Sequence, residues 1–275
     1  MPELPETETI ARDLDREITG RRIVDVVVAK ADVLRGVNAA ELGERLRGAA
    51  IVRCWRRAKL VVIDLDSGDR LAVQPRFTGA LLLSRGPLPD AEAPYSTLHF
   101  RLDDDRDLHY RDIRRLGTVA LMPPETFARY SAGLGIEPLD PAFTGSHLSG
   151  ILRGSRQAVK KVLMDQRLVV GLGNIYANEA CWRAGVDPSR PARNVSPDEA
   201  GALRDAIVDV LTESIAARGT SFRDYRDATG GRGDFERSLA VYGRGGEPCL
   251  DCGARLIETH AIDGRSTVLC ARCQR

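Results

Sequence analysis

The stretch CLDCGARLIETHAIDGRSTVLCARC, residues 249–273, sets the reading of the whole chain. Two CxxC pairs, Cys249/Cys252 and Cys270/Cys273, stand seventeen residues apart. That is the spacing of a four-thiolate zinc hairpin, where each CxxC turn presents two thiolates to one tetrahedral ion. A redox dithiol would need a thioredoxin-like βαβ surround, which the flanking sequence lacks. The segment is also too short to hold a core without such a staple. With all four positions filled by protein, one Zn2+ is expected, and its part is structural. His260 lies between the pairs and is expected at the surface. Cys54 and Cys181 stand alone among apolar neighbours and read as packing residues.

Upstream of this hairpin the texture is helical. Helices are expected at about 155–165, 174–184 and 197–217, with a further candidate at 221–228. Asn174 and Ser196 are N-cap types. Residues 229–237, TGGRGDFER, form a glycine-rich charged loop, and GLGIEPLDPAF (133–143) reads as a linker. Residues 22–122 instead show short β-branched runs: 23–28, 50–57, 59–65, 70–74, 80–84, 98–102 and 118–122. Asp66-Ser67-Gly68-Asp69 and Asp103-Asp104-Asp105-Arg106 sit between such runs as turns. About 100 residues of this texture read as a β-sandwich or a barrel. Residues 5–18 carry Ile10, Leu14 and Ile18 on one helix face behind an acidic start.

The 275 residues are 43% hydrophobic and 29% charged, an ordinary globular balance. No apolar run approaches the ~20 residues of a membrane span. The start, MPELPETETI, has no basic region followed by an apolar stretch, so a cytoplasmic protein without membrane association is expected. Net charge is +1, split as −2 over residues 1–150 and +3 over 151–275. Bulk charge therefore does not announce a nucleic-acid binder, and any such surface must come from local placement of Arg and Lys.

Three segments together resemble the bacterial formamidopyrimidine-DNA glycosylase/endonuclease VIII family. They are Met1-Pro2-Glu3-Leu4-Pro5-Glu6, the stretch DQRLVVGLGNIYANE (165–179), and the cysteine hairpin with Val241-Tyr242-Gly243-Arg244 before it. Leu4 and the VYGR lead are more similar to the formamidopyrimidine branch. The resemblance implies an α+β multidomain chain. Residues 1–124 would be a catalytic two-layer β-sandwich with an N-terminal helix, and 125–143 a linker. Residues 144–238 would be a helix-two-turn-helix domain with a lesion-recognition loop, and 239–275 a β-hairpin zinc finger. It further implies a nucleoid-associated monomer acting on double-stranded DNA that contains oxidised bases.

Loss of Met1 would expose the secondary amine of Pro2. A free α-amine titrates near ~7.7–8.0, so part of it is neutral and nucleophilic at physiological pH. The resemblance gives Pro2 the attack on C1′ of the damaged nucleotide. It gives Glu3 protonation of the sugar ring oxygen, and Glu6 a supporting part. Lys59 matches a lysine at a hairpin tip that assists base loss, although Ala58 stands where the family has glycine. Lys160, Asn174, Arg265 and Tyr242 match phosphate contacts, which position a duplex without reading its sequence. Asn174 would cap a helix whose N-terminal N–H groups hold an anion.

An everted nucleotide leaves a gap in the stack. The family's formamidopyrimidine branch fills it with methionine, arginine and phenylalanine. The matching positions here are Phe77, Arg114 and Leu116, so two of three depart, though both remain apolar wedges. Arg76 adds a charge beside Phe77. The expected activity is a bifunctional glycosylase/AP lyase excising 8-oxoguanine and formamidopyrimidines, with β- and then δ-elimination. Three alternatives stay open: the same machinery acting mainly on oxidised pyrimidines or abasic sites, a catalytically silent binder of damaged DNA, and a zinc-hairpin transcription or RNA-binding module. The last leaves the N-terminal motif unexplained.

Overall fold

The computed structural model describes residues 2–221 and 224–275. The chain forms two compact units, residues 1–132 with 215–236 and residues 133–214 with 237–275. The first unit begins with α1 (Leu4–Ile18), which takes Pro5 in its first turn, where a missing N–H costs nothing. Then follow β1 (Ile23–Val28), α2 (Ala39–Leu46), β2 (Ile51–Arg57), β3 (Leu60–Leu65), β4 (Arg70–Gln74), β5 (Gly79–Arg85), β6 (Ser96–Leu102), β7 (Arg106–Asp112), β8 (Thr118–Met122) and α3 (Pro124–Ala132).

Two separate four-stranded antiparallel sheets, ordered β1-β6-β7-β5 and β2-β3-β4-β8, resolve the choice between sandwich and barrel in favour of the sandwich. Val61, Ile63, Leu71 and Val73 of one sheet share a core with Leu81, Leu98, Phe100, Leu108 and Tyr110 of the other. Ile10, Leu14 and Ile18 of α1 join the same core, as the spacing in the sequence predicts. On the opposite face of the second sheet, Leu60, Val62 and Ala72 pack with Phe127 of α3 and with Trp55. Burial of both faces explains why β3 reads as an almost unbroken apolar run.

Two elements depart from the expected run of strands. Residues 39–46 are the helix α2, capped by Asn38, whose Oδ1 accepts from the Glu41 N–H at 2.9 Å. Leu42 and Leu46, one turn apart, bury its inner face. Residues 106–112 (RDLHYRD) are the strand β7. Only Leu108 and Tyr110 face the core, and the charged residues alternating with them mask the strand.

The second unit holds α4 (Gly145–Arg153), α5 (Val159–Leu163), α6 (Asn174–Arg183), most of α7 (Pro197–Ala216), and the two-stranded sheet of β9 (Ile257–Thr259) and β10 (Thr267–Leu269). α4 was not anticipated from the sequence; Thr144 caps it, and Leu148 and Leu152 are buried. Ser196 does cap α7: its Oγ accepts from the Glu199 N–H at 3.2 Å, while Glu199 Oε2 accepts from the Ser196 N–H at 2.7 Å. Asn174 is not a cap. That position belongs to Gly173, and Asn174 is the first helical residue. The helix expected at 221–228 is absent from its described residues, and Phe222 and Arg223 lie outside them. No helix among the described residues is long and apolar enough to cross a membrane.

Candidate active site and nucleic-acid interface

In the first unit the chain opens at the foot of α1, with Pro2, Glu3 and Glu6 all buried. Glu6 Oε2 accepts from the Glu3 N–H at 2.8 Å, and its Oε1 accepts from the Thr220 N–H at 2.8 Å. One carboxylate thus ties the chain start to segment 215–236. Gly219 takes φ +88 there, and a Cβ on it would stand 3.0 Å from Glu6 Oε1. A second tie runs through Arg218, whose Nη2 lies 2.5 Å from Asp13 Oδ2 and 2.6 Å from Asp227 Oδ2. Asp227 Oδ1 also accepts from the N–H groups of Thr229 (3.0 Å) and Gly231 (2.7 Å). The glycine-rich stretch is therefore folded around a buried acid. Sequence reading missed Asp13, Arg218 and Asp227, because a lone charge on a helix or in a loop resembles any solvated one.

Lys59 sits half-buried in the two-residue turn between β2 and β3. Ala58, where the family has glycine, takes φ +54, the left-handed conformation glycine would adopt without strain. The hairpin is braced on both sides. Arg56 Nε donates to Glu8 Oε2 of α1 at 2.9 Å, and Arg57 Nε donates to Ser131 Oγ of α3 at 2.9 Å.

Arg76, Phe77, Arg114 and Leu116 lie in two neighbouring turns, β4–β5 and β7–β8. Phe77 is 47% exposed and Leu116 39%, unusual for large apolar side chains. The Arg114 guanidinium lies 5.2 Å from the Phe77 ring centroid. Asp112, 1% exposed, joins the two turns. It accepts from Thr78 Oγ1 and the Arg114 N–H on one oxygen, and from the Gly117 N–H (2.8 Å) and the Tyr110 hydroxyl (3.3 Å) on the other. A Cβ at Gly117 would lie 1.8 Å from that hydroxyl. Sequence reading named the tips of this device and missed its hub.

The second unit gathers the other predicted residues around α6. Gln166 wraps the glycine turn: its Oε1 accepts from the Gly171 N–H and its Nε2 donates to the Leu172 carbonyl, both at 2.9 Å. Gly171 takes φ +82, which the turn requires. Asn174 Nδ2 donates to the Ser266 carbonyl at 3.0 Å, and its Oδ1 is buried with no hydrogen-bond partner. Lys160 departs from the open phosphate contact expected of it. It is fully buried, and its Nζ donates to the Ser266 carbonyl (2.7 Å) and Thr267 Oγ1 (2.8 Å), so it seats the finger strand. Glu179, fully buried, accepts the N–H groups of Ala240, Val241 and Tyr242 at 2.8–3.0 Å. Tyr242 is half-buried beside that anchor, and Arg265 is exposed in the β9–β10 turn.

Cys249, Cys252, Cys270 and Cys273 bring their sulfurs within 4.8 Å of one another. The separations Cys249–Cys273 (3.9 Å) and Cys252–Cys270 (3.5 Å) bracket the ~3.8 Å edge of a tetrahedron with ~2.3 Å Zn–S bonds. Desolvation opposes ionisation of Cys249, but the backbone N–H groups of Cys252 and Asp251 outweigh it and hold this thiol below its ordinary value. The donor set fits one structural zinc. Cys54 and Cys181 are buried as expected, and burial pushes the Cys181 thiol up to about 12, far from a reactive thiolate.

Comparison with known proteins agrees with this geometry. Residues 1–119 match the formamidopyrimidine-DNA glycosylase N-terminal domain, 134–226 the H2TH domain of the same enzymes, and 246–275 the zinc finger found in FPG and IleRS. A formamidopyrimidine-DNA glycosylase of Desulfitobacterium hafniense is 40% identical over 277 residues, covering all of both chains. A mutant Lactococcus lactis Fpg bound to Fapy-dG-containing DNA superposes with a TM-score of 0.92 at 30% identity, again over all of both chains. The wild-type Lactococcus lactis protein with an oxidised-pyrimidine-containing DNA gives 0.91 at 30% identity over the same full coverage. The chain belongs to the formamidopyrimidine-DNA glycosylase family.

Proposed function

We propose that this chain is a bifunctional DNA glycosylase/AP lyase that excises oxidised purines from duplex DNA through its N-terminal proline. The observation that carries the reading is the placement of Pro2 and Glu3 together at the buried foot of α1, with Glu6 holding the backbone between them and the 215–236 segment. In this reading the Pro2 nitrogen, freed of Met1, bonds to C1′ while the C1′–N bond to the base breaks. Glu3 delivers the proton that opens the sugar ring, leaving an iminium. The iminium acidifies C2′–H; loss of that proton expels the 3′ phosphate, and a second elimination expels the 5′ phosphate. Water then releases the sugar remnant and restores the amine. Lys59 assists base departure from its braced hairpin. Arg265, Tyr242 and Asn174 hold phosphates, and Lys160 contributes by seating Ser266 and Thr267, the residues that follow Arg265. Phe77, Arg114 and Leu116, with Arg76 alongside, fill the stack behind the everted nucleotide. Residues 1–124 then serve as the catalytic domain, 144–238 as the DNA-binding domain and 239–275 as the finger. The site of action is the cytoplasm, at the nucleoid.

Borohydride trapping on an 8-oxoguanine duplex tests this. Wild type forms a covalent DNA adduct, and the mature protein lacks Met1 by mass. Pro2→Gly gives far less adduct. Glu3→Gln slows base excision by about 10²–10⁴, the usual worth of a general acid, while cutting of a preformed abasic site falls much less. An undiminished adduct from Pro2→Gly overturns the reading. A second reading, preference for oxidised pyrimidines, draws on the exposed Phe77 and Leu116 at positions where the formamidopyrimidine branch differs. Excision confined to thymine glycol duplexes would select it.

A further inference from the structure

On the outer face of the sheet β1-β6-β7-β5, three potential ligands stand together. His99 and His109 are direct cross-strand partners on β6 and β7, and Asp107 lies two residues from His109 on the same face of β7. One donor atom from each falls within 4.8 Å of the others. We propose that His99, Asp107 and His109 bind a divalent transition metal ion, Ni2+, Zn2+ or Co2+, at a site separate from the cysteine hairpin.

Three observations carry this. First, His109 is only 5% exposed and its Nε2 is buried with no hydrogen-bond partner, which is costly for a polar atom. Its Nδ1 lies 3.1 Å from Ser96 Oγ. Ser96 Oγ in turn points its own proton at the Leu98 carbonyl (3.4 Å), so it accepts from Nδ1–H. This arrangement favours the tautomer with the lone pair on Nε2, the form that ligates a metal, with the Ser96 contact in the usual orienting place behind such a ligand. Second, His99 Nε2 and Asp107 Oδ1 are 2.8 Å apart yet lack the alignment of a hydrogen bond. With metal bonds of ~2.0–2.1 Å at right angles, two ligand atoms stand about 2.9 Å apart. Third, the rings of His99 and His109 stack at 4.5 Å with only 11° between planes, so both imidazole edges are presented side by side. A cleft of about 380 Å³, lined in part by His99, Asp107, Gly86 and Pro87, gives the ion a path and room for waters. Arg101, the direct partner of Asp107, makes no ion pair with it among the described residues. Two imidazoles and one carboxylate suit Ni2+, Zn2+ or Co2+ over Mg2+ or Ca2+.

The test uses full-length protein already loaded with zinc. Titration with Ni2+, followed by calorimetry and metal analysis after desalting, gives one further molar equivalent. Co2+ at the same site shows d–d absorption without the thiolate charge-transfer band of a cysteine site. His99→Gln and Asp107→Asn, both on the outer face, abolish the further equivalent and leave the finger zinc in place. Ser96→Ala weakens it about 10–100-fold. Circular dichroism and melting confirm that each variant folds. No further equivalent in wild type overturns the proposal, and so does one that survives both His99→Gln and Asp107→Asn.

Discussion

Ala58 shows how much a single backbone angle decides. The turn that lifts Lys59 needs a left-handed residue, and alanine adopts that conformation at a cost of ~1–2 kcal/mol. Ala58→Gly relieves this strain and gives back ~0.5–1 kcal/mol in chain entropy. We therefore expect the variant to unfold at higher urea, with a net gain of about 0.5–1 kcal/mol and an unchanged denaturant slope. An equal or lower midpoint would mean that the Arg56 and Arg57 braces, and not the local angle, set the turn's stability. Asp112 makes the complementary point. A buried carboxylate is costly unless it is hydrogen-bonded, and here three donors from two turns and the Tyr110 hydroxyl of β7 converge on it.

At the scale of elements, the two units use buried acids to attach irregular segments to helices. Burial alone would raise the Asp227 carboxyl, but Arg218, Thr229 and Gly231 outweigh it and hold it below the ordinary carboxylate value. A depressed folded value contributes stability above the unfolded pKa of ~3.9, and that contribution is lost as pH falls through the lower folded value. Hydrogen exchange at Gly231 and Gly233 should therefore accelerate selectively below about pH 4. Asp227→Asn should show fast exchange there already at neutral pH. Uniform acid unfolding of the whole unit would contradict this local role. Glu179 does the same work on α6. Glu179→Ala orphans two buried N–H donors, each costing ~1–3 kcal/mol, and a third that is partly buried, so the finger should loosen by at least about 2 kcal/mol. Release of zinc to a chromogenic chelator would quicken accordingly.

For the molecule as a whole, two separately cored units mean that damage to one need not unfold the other. Chelation of zinc, or Cys249→Ser, removes the staple from a short segment whose own apolar cluster is small. The expected result is lost DNA binding with the β-sandwich melting transition preserved in calorimetry. Arg265→Ala should weaken binding to all duplex sequences alike and reduce the slope of log K against log salt by about 1. Sequence-selective weakening would count against a phosphate contact.

The order of motifs along the chain was enough to identify a β-rich start, a helical middle and a metal hairpin. These depend on local signals: alternation of apolar residues, a helical face on α1, and cysteine spacing. Cys249, Cys252, Cys270 and Cys273 were legible because ligand type and spacing alone define a tetrahedral site. α2, α4 and β7 were hidden, since each buries only two apolar side chains and its polar or charged remainder looks like loop. The sandwich over the barrel, the inward turn of Lys160, the joining of Glu6 and Glu179 to distant backbone, and that of Asp13 and Asp112 to the distant side chains of Arg218 and Thr78, were decided only by tertiary structure. A carboxylate's neighbours up to 214 residues away in the chain set whether it is a solvated charge or a joint, and no local pattern carries that information.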